Sequence, residues 1–211
     1  MDYSQEIIVD FIDYYPSLMD STNTVLVPKI SKKFNPRKLV NRIITKLIPT
    51  ASFIGIKLVN NFYRDITPII TGDSYRIEAI LMQLVSNAIS FTKEGNVILT
   101  SHFFAPSTLE SPNDDIEDTK EAILQFIVHD TGIGMSKEKE QYLYEQLNSL
   151  DNSTSQATRE ELQSKTNSES IFELGLGLSL VKQFIGELKG KIDVSSYEDK
   201  GTTFTVQVPV K

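Results

Sequence analysis

Three short stretches carry residue types suited to holding a polar ligand. Asn87 lies deep in an amphipathic stretch, where asparagine is a poor helix former, so its amide is expected to face something polar. Asp130-Thr131-Gly132-Ile133-Gly134 follows an apolar run. A carboxylate at a strand end can accept a hydrogen bond from an exocyclic amine, and glycines two apart let the backbone approach a flat ring. Leu174-Gly175-Leu176-Gly177-Leu178 opens a helical stretch, where free N–H groups and the helix dipole favour a phosphate. Each stretch alone also has an ordinary structural explanation: a satisfied core amide, an Asx-type turn, a glycine-rich helix start. Neither glycine pair completes Gly-x-Gly-x-x-Gly, because Lys137 and Leu180 occupy the third place, and no Gly-x4-Gly-Lys-Ser/Thr occurs. A Rossmann site and a P-loop are therefore both unsupported.

Composition narrows the classes further. The chain has 211 residues, a net charge of −7, 40% hydrophobic residues and no cysteine. That length suits one domain with a real core. The absence of cysteine removes disulfide scaffolds, thiol nucleophiles and cysteine-ligated metals. His102 and His129 lie far apart without helical ligand spacing, which argues against a zinc hydrolase. The acidic balance argues against nucleic-acid binding. No apolar run approaches the roughly 20 residues of a membrane span, so membrane contact by this domain is not expected.

The elements that must position these residues can be read from periodicity. Gln5–Tyr15 carries a helical stripe (Ile7, Ile8, Phe11, Ile12, Tyr15) ended by Pro16. Asn35-Pro36 reads as an N-cap and first helical residue, with a two-wide stripe from Leu39 to Ile48 that Pro49 is expected to stop. Strands are expected at Ile56–Phe62 and Pro68–Ile70. Gly72-Asp73 caps a strong helix with Ile77, Ile80, Leu81, Leu84, Val85 and Ala88 on one face, ending near Phe91. Strands follow at Val97–Phe104 and Ala122–His129, separated by an acidic insertion, Ala105–Glu121. A short helix (Ser136 to about Leu147), a polar loop (Asn148–Ser170), a helix (Gly177–Leu188) and two strands (Lys191–Tyr197, Thr202–Val210) complete the chain. Helices interleaved with hairpin-connected strands indicate a two-layer α/β sandwich with a mixed, largely antiparallel sheet.

The order and spacing of these pieces resemble the ATP-binding catalytic domain of sensor histidine kinases, particularly hybrid ones, in the Bergerat-fold superfamily that includes gyrase, Hsp90 and MutL. Asp73–Ile77 through Leu84–Thr92 resembles the N box, Asp130–Gly134 the G1 box, Gly175–Leu178 the G2 box, and Gly201-Thr202-Thr203-Phe204 the closing strand. The resemblance implies a catalytic domain over residues 22–211, preceded by the end of a dimerisation-type helix at 1–21. It implies ATP and Mg²⁺ as ligands. Asn87 would coordinate Mg²⁺ through its amide oxygen, the hard ligand this ion prefers. Asp130 would accept the adenine amine, with Gly132 and Gly134 against the ring and Thr203 beside it. Gly175, Gly177 and the N–H of Leu178 would hold the phosphates. Residues 148–170 would form a lid, in which Arg159 or Lys165 could reach the γ-phosphate.

The same resemblance implies transfer of the γ-phosphoryl group to a histidine on a dimerisation domain outside this chain, since neither His102 nor His129 begins the His-Glu/Asp-x-Arg/Lys acceptor pattern. The implied partners are that domain and a response-regulator receiver. The implied setting is cytoplasmic, within a homodimeric parent. The superfamily's ATP hydrolases carry a glutamate four residues before the metal asparagine. Gln83 stands there instead and cannot take a proton at neutral pH, which disfavours hydrolysis. The match departs from the family pattern at Gln83, at Ser90 (often lysine), at Glu173 (often glycine) and at Leu143–Leu147, where two phenylalanines are usual. Ser90 and Glu173 reduce the expected pull on phosphate. The alternative is therefore a degenerate signalling module acting through protein contacts, with weak or no nucleotide binding.

Overall fold

The computed structural model describes residues 30–63, 69–105, 121–148 and 175–211. The expected head helix, the interior of the acidic insertion, the lid with Arg159 and Lys165, and Glu173 lie outside these residues.

Helix α1 (Pro36–Phe53) begins as its sequence dictates: Asn35 Oδ1 accepts the Lys38 N–H at 2.9 Å and proline fills the first turn. It does not stop at Pro49. The proline forfeits one internal hydrogen bond, but Leu47 and Ala51 are buried on either side of it and hold the last turn against the core. The Ile56 N–H then closes the helix on the Ala51 carbonyl at 2.8 Å. Helix α2 (Ser74–Phe91) is capped by Asp73, whose Oδ1 accepts the Arg76 N–H at 3.2 Å.

Five strands form the main sheet: β2 (Lys57–Phe62), β4 (Asn96–Phe104), β5 (Ala122–Asp130), β6 (Lys191–Tyr197) and β7 (Gly201–Val210). Their order is β2-β4-β5-β7-β6, with β2 and β4 parallel and the other pairs antiparallel. A second, two-stranded ribbon pairs β1 (Lys32–Phe34), which periodicity does not indicate, with β3 (Ile70–Gly72), which lies later than the strand expected at Pro68–Ile70. It joins the end of β7 through reciprocal bonds between Thr71 and Lys211 at 2.5 and 2.9 Å. Helices α3 (Lys137–Asn148) and α4 (Gly175–Glu187) complete the described elements.

One face of the sheet is apolar in strict alternation: Val97 and Leu99 on β4, Leu124, Phe126 and Val128 on β5, Phe204, Val206, Val208 and Val210 on β7. Against it pack the buried stripes of α1 (Leu39, Val40, Ile43), α2 (Ile77, Ile80, Leu81, Leu84) and α4 (Val181, Phe184, Ile185). The result is the two-layer α/β sandwich with a mixed sheet that the sequence indicated. Within the helical layer, Arg76 is buried and pairs with Asp73 and, at 2.5 Å, with Glu187 Oε2, its guanidinium lying 5.5 Å from the Phe184 ring centre. The start of α2 is thereby tied to the end of α4.

Candidate functional site

The alternation that builds the core also sets the site. Asp130 continues the inward series of β5 past Phe126 and Val128, so the last residue of the strand carries its carboxylate under the helices, 4% exposed. Oδ1 accepts two backbone N–H groups, from Gly132 at 2.9 Å and from Thr202 at 3.2 Å. Oδ2 takes no hydrogen bond from the described residues. Burial raises the Asp130 pKa above the ordinary carboxylate value, against the pull of those two N–H donors and of His129. One oxygen thus holds the loop to β7 while the other is left to accept from a ligand.

The loop after Asp130 is clamped on both sides. The Ile133 N–H reaches the Phe91 carbonyl at the end of α2 at 3.1 Å, and the Ile133 carbonyl accepts the Asp199 N–H from the β6–β7 turn at 2.8 Å. Gly134 sits at φ 63°, and a Cβ there would stand 1.9 Å from the Tyr197 carbonyl oxygen. Only glycine meets both conditions. Backbone, rather than side chain, lines this side of the site.

Asn87 is half-buried on α2, and its Oδ1 accepts the Gln83 amide N–H at 2.7 Å. Helix α4 starts at Gly175, two residues before the expected position, so Gly175 and Gly177 both lie in its first turn. A Cβ on Gly177 would come within 2.3 Å of the Gln83 amide. The absence of that Cβ leaves the space that the Gln83 amide fills against the start of α4. Leu178 turns its side chain into the core, 5% exposed, leaving only its backbone N–H for a ligand. The first N–H groups of a helix lack internal partners and form an anion site with the helix dipole.

Thr203 is not where the sequence reading set it. Thr203 stands opposite His129 on the outer face of the sheet, and the His129 Nδ1 and Thr203 Oγ1 are 2.9 Å apart. Thr202 is the residue beside Asp130. Its N–H reaches the carboxylate, and its hydroxyl pairs with Ser196 Oγ at 2.9 Å. Parity is the reason: Phe204, Val206, Val208 and Val210 face inward, so Thr202 does and Thr203 does not. That period-two signal was available in the sequence. His102 stacks on Tyr63 with ring centres 4.0 Å apart, away from Asp130. The Ser90 hydroxyl donates to the Ser86 carbonyl at 3.0 Å, within its own helix.

The buried carboxylate, the close-packed glycine backbone and the α4 N-terminus fit a nucleotide: an acceptor for an exocyclic amine at one end and an anion cradle at the other. Among the described residues no cluster of three or more His, Asp or Glu side chains could cage a metal. The chemistry present for a divalent ion is the Asn87 amide oxygen, which suits Mg²⁺ supplemented by phosphate oxygens and water.

Residues 72–211 match the family described as "Histidine kinase-, DNA gyrase B-, and HSP90-like ATPase". The sensor protein GacS of Pseudomonas syringae pv. syringae is 33% identical over 175 residues, covering 83% of this chain and 17% of its own length. The circadian input-output histidine kinase CikA of Thermosynechococcus vestitus is 37% identical over 139 residues, 65% of this chain and 15% of that protein. The chain thus spans less than a fifth of these relatives. Among solved structures, full-length ShkA in complex with AMPPNP aligns over 98% of this chain and 36% of its own, with TM-score 0.62 and 19% identity. The catalytic domain of the histidine kinase ThkA aligns over 85% of this chain and 95% of its own, with TM-score 0.58 and 19% identity. At that identity the likeness is one of fold. Family match and fold agree: the chain belongs to the histidine kinase-, DNA gyrase B- and HSP90-like ATPase family, and its relatives are sensor histidine kinases.

Proposed function

We propose that this domain binds ATP with Mg²⁺ and presents the γ-phosphoryl group to a histidine on a dimerisation domain outside the chain, within a sensor kinase that passes the group to a receiver. The single observation that carries the reading is the division of labour at Asp130: Oδ1 is spent on the Gly132 and Thr202 N–H groups, while Oδ2 is left for an amine donor. Gly132 and Gly134 admit the adenine against backbone, and Thr202 takes the neighbouring place. The N–H groups of the first turn of α4 bind the phosphates, and Asn87 supplies an oxygen to Mg²⁺, whose chemistry is to neutralise charge on the phosphoryl group in flight. Gln83 stands in place of a carboxylate base one turn before Asn87 and cannot take a proton at neutral pH, which disfavours hydrolysis and favours transfer to an external imidazole. The domain's contribution is position and electrostatics.

The test is binding first and transfer second. Saturating ADP or ATP at about 100 times Kd, with Mg²⁺, should stabilise the fold by about 2.7 kcal/mol and raise Tm by about 5–10 °C. A purified dimerisation domain bearing the acceptor histidine should then become labelled from γ-phosphate-labelled ATP. No shift in Tm with any adenine nucleotide would overturn the reading. A shift without labelling would favour the degenerate alternative, for which the internally bonded Ser90 hydroxyl speaks, since it leaves no cation at that place on α2.

Acidity should act through Asp130. The ionised carboxylate is the form that accepts from the amine, so binding favours deprotonation, and affinity is lost as pH falls through the raised pKa. Because burial raises that pKa above the ordinary aspartate value, the loss begins at higher pH than for an exposed aspartate. Titrations between pH 4.5 and 8 on the native chain and on Asp130→Asn isolate this contribution, because phosphate ionisation is common to both. An equal pH slope in the two proteins would remove Asp130 from the adenine assignment.

A further inference from the structure

Gln83 cannot act as a general base, yet its position is specific. Its Nε2 donates to Asn87 Oδ1 at 2.7 Å, one turn along α2, and the same amide fills the space over Gly177 where a Cβ would stand at 2.3 Å. Gln83 is 5% exposed, while Asn87 is half-buried. We infer that Gln83 is a positioning residue that fixes the Asn87 amide for the metal and couples that ligand to the first turn of the phosphate-binding helix α4. This rests on the reading of Asn87 as the Mg²⁺ ligand.

The physical argument has two parts. An asparagine amide can present either oxygen or nitrogen to a given point, and only oxygen serves a hard cation. A donor from Gln83 selects the oxygen and holds its orientation. An amide oxygen has two acceptor sites, so one can take the Gln83 N–H while the other faces the ion. Hydrogen bonds of this kind to a metal ligand are commonly worth 10- to 100-fold in metal affinity. The second part is the contact with α4. Because the Gln83 amide lies where a residue-177 side chain would be, any bulk at 177 must push Gln83 away from Asn87. The metal ligand and the phosphate helix therefore share one side chain, and a change on α4 is felt at Asn87 without touching it.

The experiment measures ADP affinity of the 211-residue chain in EDTA and in Mg²⁺, and reads the ratio of the two dissociation constants as the metal-dependent gain. Gln83→Met keeps length and volume but removes the donor, and should cut the gain about tenfold. Gly177→Ala should reduce the gain by a similar factor. In the Gln83→Ala background the space is empty, so adding Gly177→Ala should have no further effect, giving strong non-additivity. A native gain in Gln83→Met, or effects of Gln83→Ala and Gly177→Ala that simply multiply, would overturn the inference. Asn87→Ala separates the levels. If it abolishes the gain while Gln83→Met does not, the coupling fails and the metal reading stands. If Asn87→Ala keeps the native gain, both fall. Tm measured without ligand shows that each variant is folded, and if Gln83→Ala is not, Gln83→Met alone decides the question.

Discussion

Asp130→Asn should weaken ADP binding about 100-fold and leave Tm within about 3 °C of the native value. The two expectations come from different oxygens of one side chain. Asparagine keeps an acceptor at the Oδ1 position, so the Gly132 and Thr202 N–H groups retain their partner and the loop remains tied to β7. At the Oδ2 position it substitutes an N–H₂ donor. An adenine amine meeting that donor loses a charge-assisted hydrogen bond worth about 1.5–3 kcal/mol and faces a like dipole in a buried place. About 2.7 kcal/mol corresponds to the 100-fold change. The cost of burying a charge, which raises the native pKa, is also removed, so the fold loses nothing on that account. Calorimetric titration and a thermal melt decide the matter together. Affinity retained within threefold would remove Asp130 from adenine recognition, and a large fall in Tm would show that its role is architectural.

Gly134→Ala is expected to destabilise the fold and weaken nucleotide binding together. At φ 63° an alanine is strained by about 1–3 kcal/mol, and its Cβ would overlap the Tyr197 carbonyl, which cannot move without disturbing the β6–β7 turn. The cost should come to about 3 kcal/mol, or a fall in Tm of about 10 °C. The Asp199 N–H to Ile133 carbonyl bond is the first contact to part, because it spans the same gap. Nucleotide affinity should fall with it, since the backbone opposite the adenine is the backbone displaced. A variant with native Tm and native affinity would show that the loop adapts without cost.

Much of this was legible in the residues, and the misses have physical causes. Asn35-Pro36 and Asp73 announced the helix starts because capping is local chemistry, readable from four residues. Asp130 was legible twice over, as the residue before a glycine pair and as the inward end of an alternating strand. Pro49 misled because a helix end is set by the whole balance of burial: Ala51 lies beyond the proline and is 1% exposed, and that burial outweighs one missing N–H. Strand β1 is too short for periodicity to mark, and only its pairing with β3 makes it a strand. Thr203 comes from the family resemblance, whereas the alternation of Phe204, Val206 and Val208 turns Thr202 inward. The Gln83–Gly177 contact joins positions nearly a hundred residues apart, and no local rule reaches that far.

The short ribbon has a mechanical side. Its strand β3 bonds on one flank to β1, where the described chain enters, and on the other to Lys211, where it ends. The pairings are antiparallel on both flanks, so β1 and the tail of β7 run in the same direction with β3 between them. Tension applied to these two points from neighbouring segments would pull the outer strands in opposite senses along their length. The hydrogen bonds would be loaded together in shear, not peeled one at a time as at a frayed hairpin. A ribbon loaded in this way yields only when several hydrogen bonds part at once, and Asp130 and Thr202 lie at the far end of β7 from it.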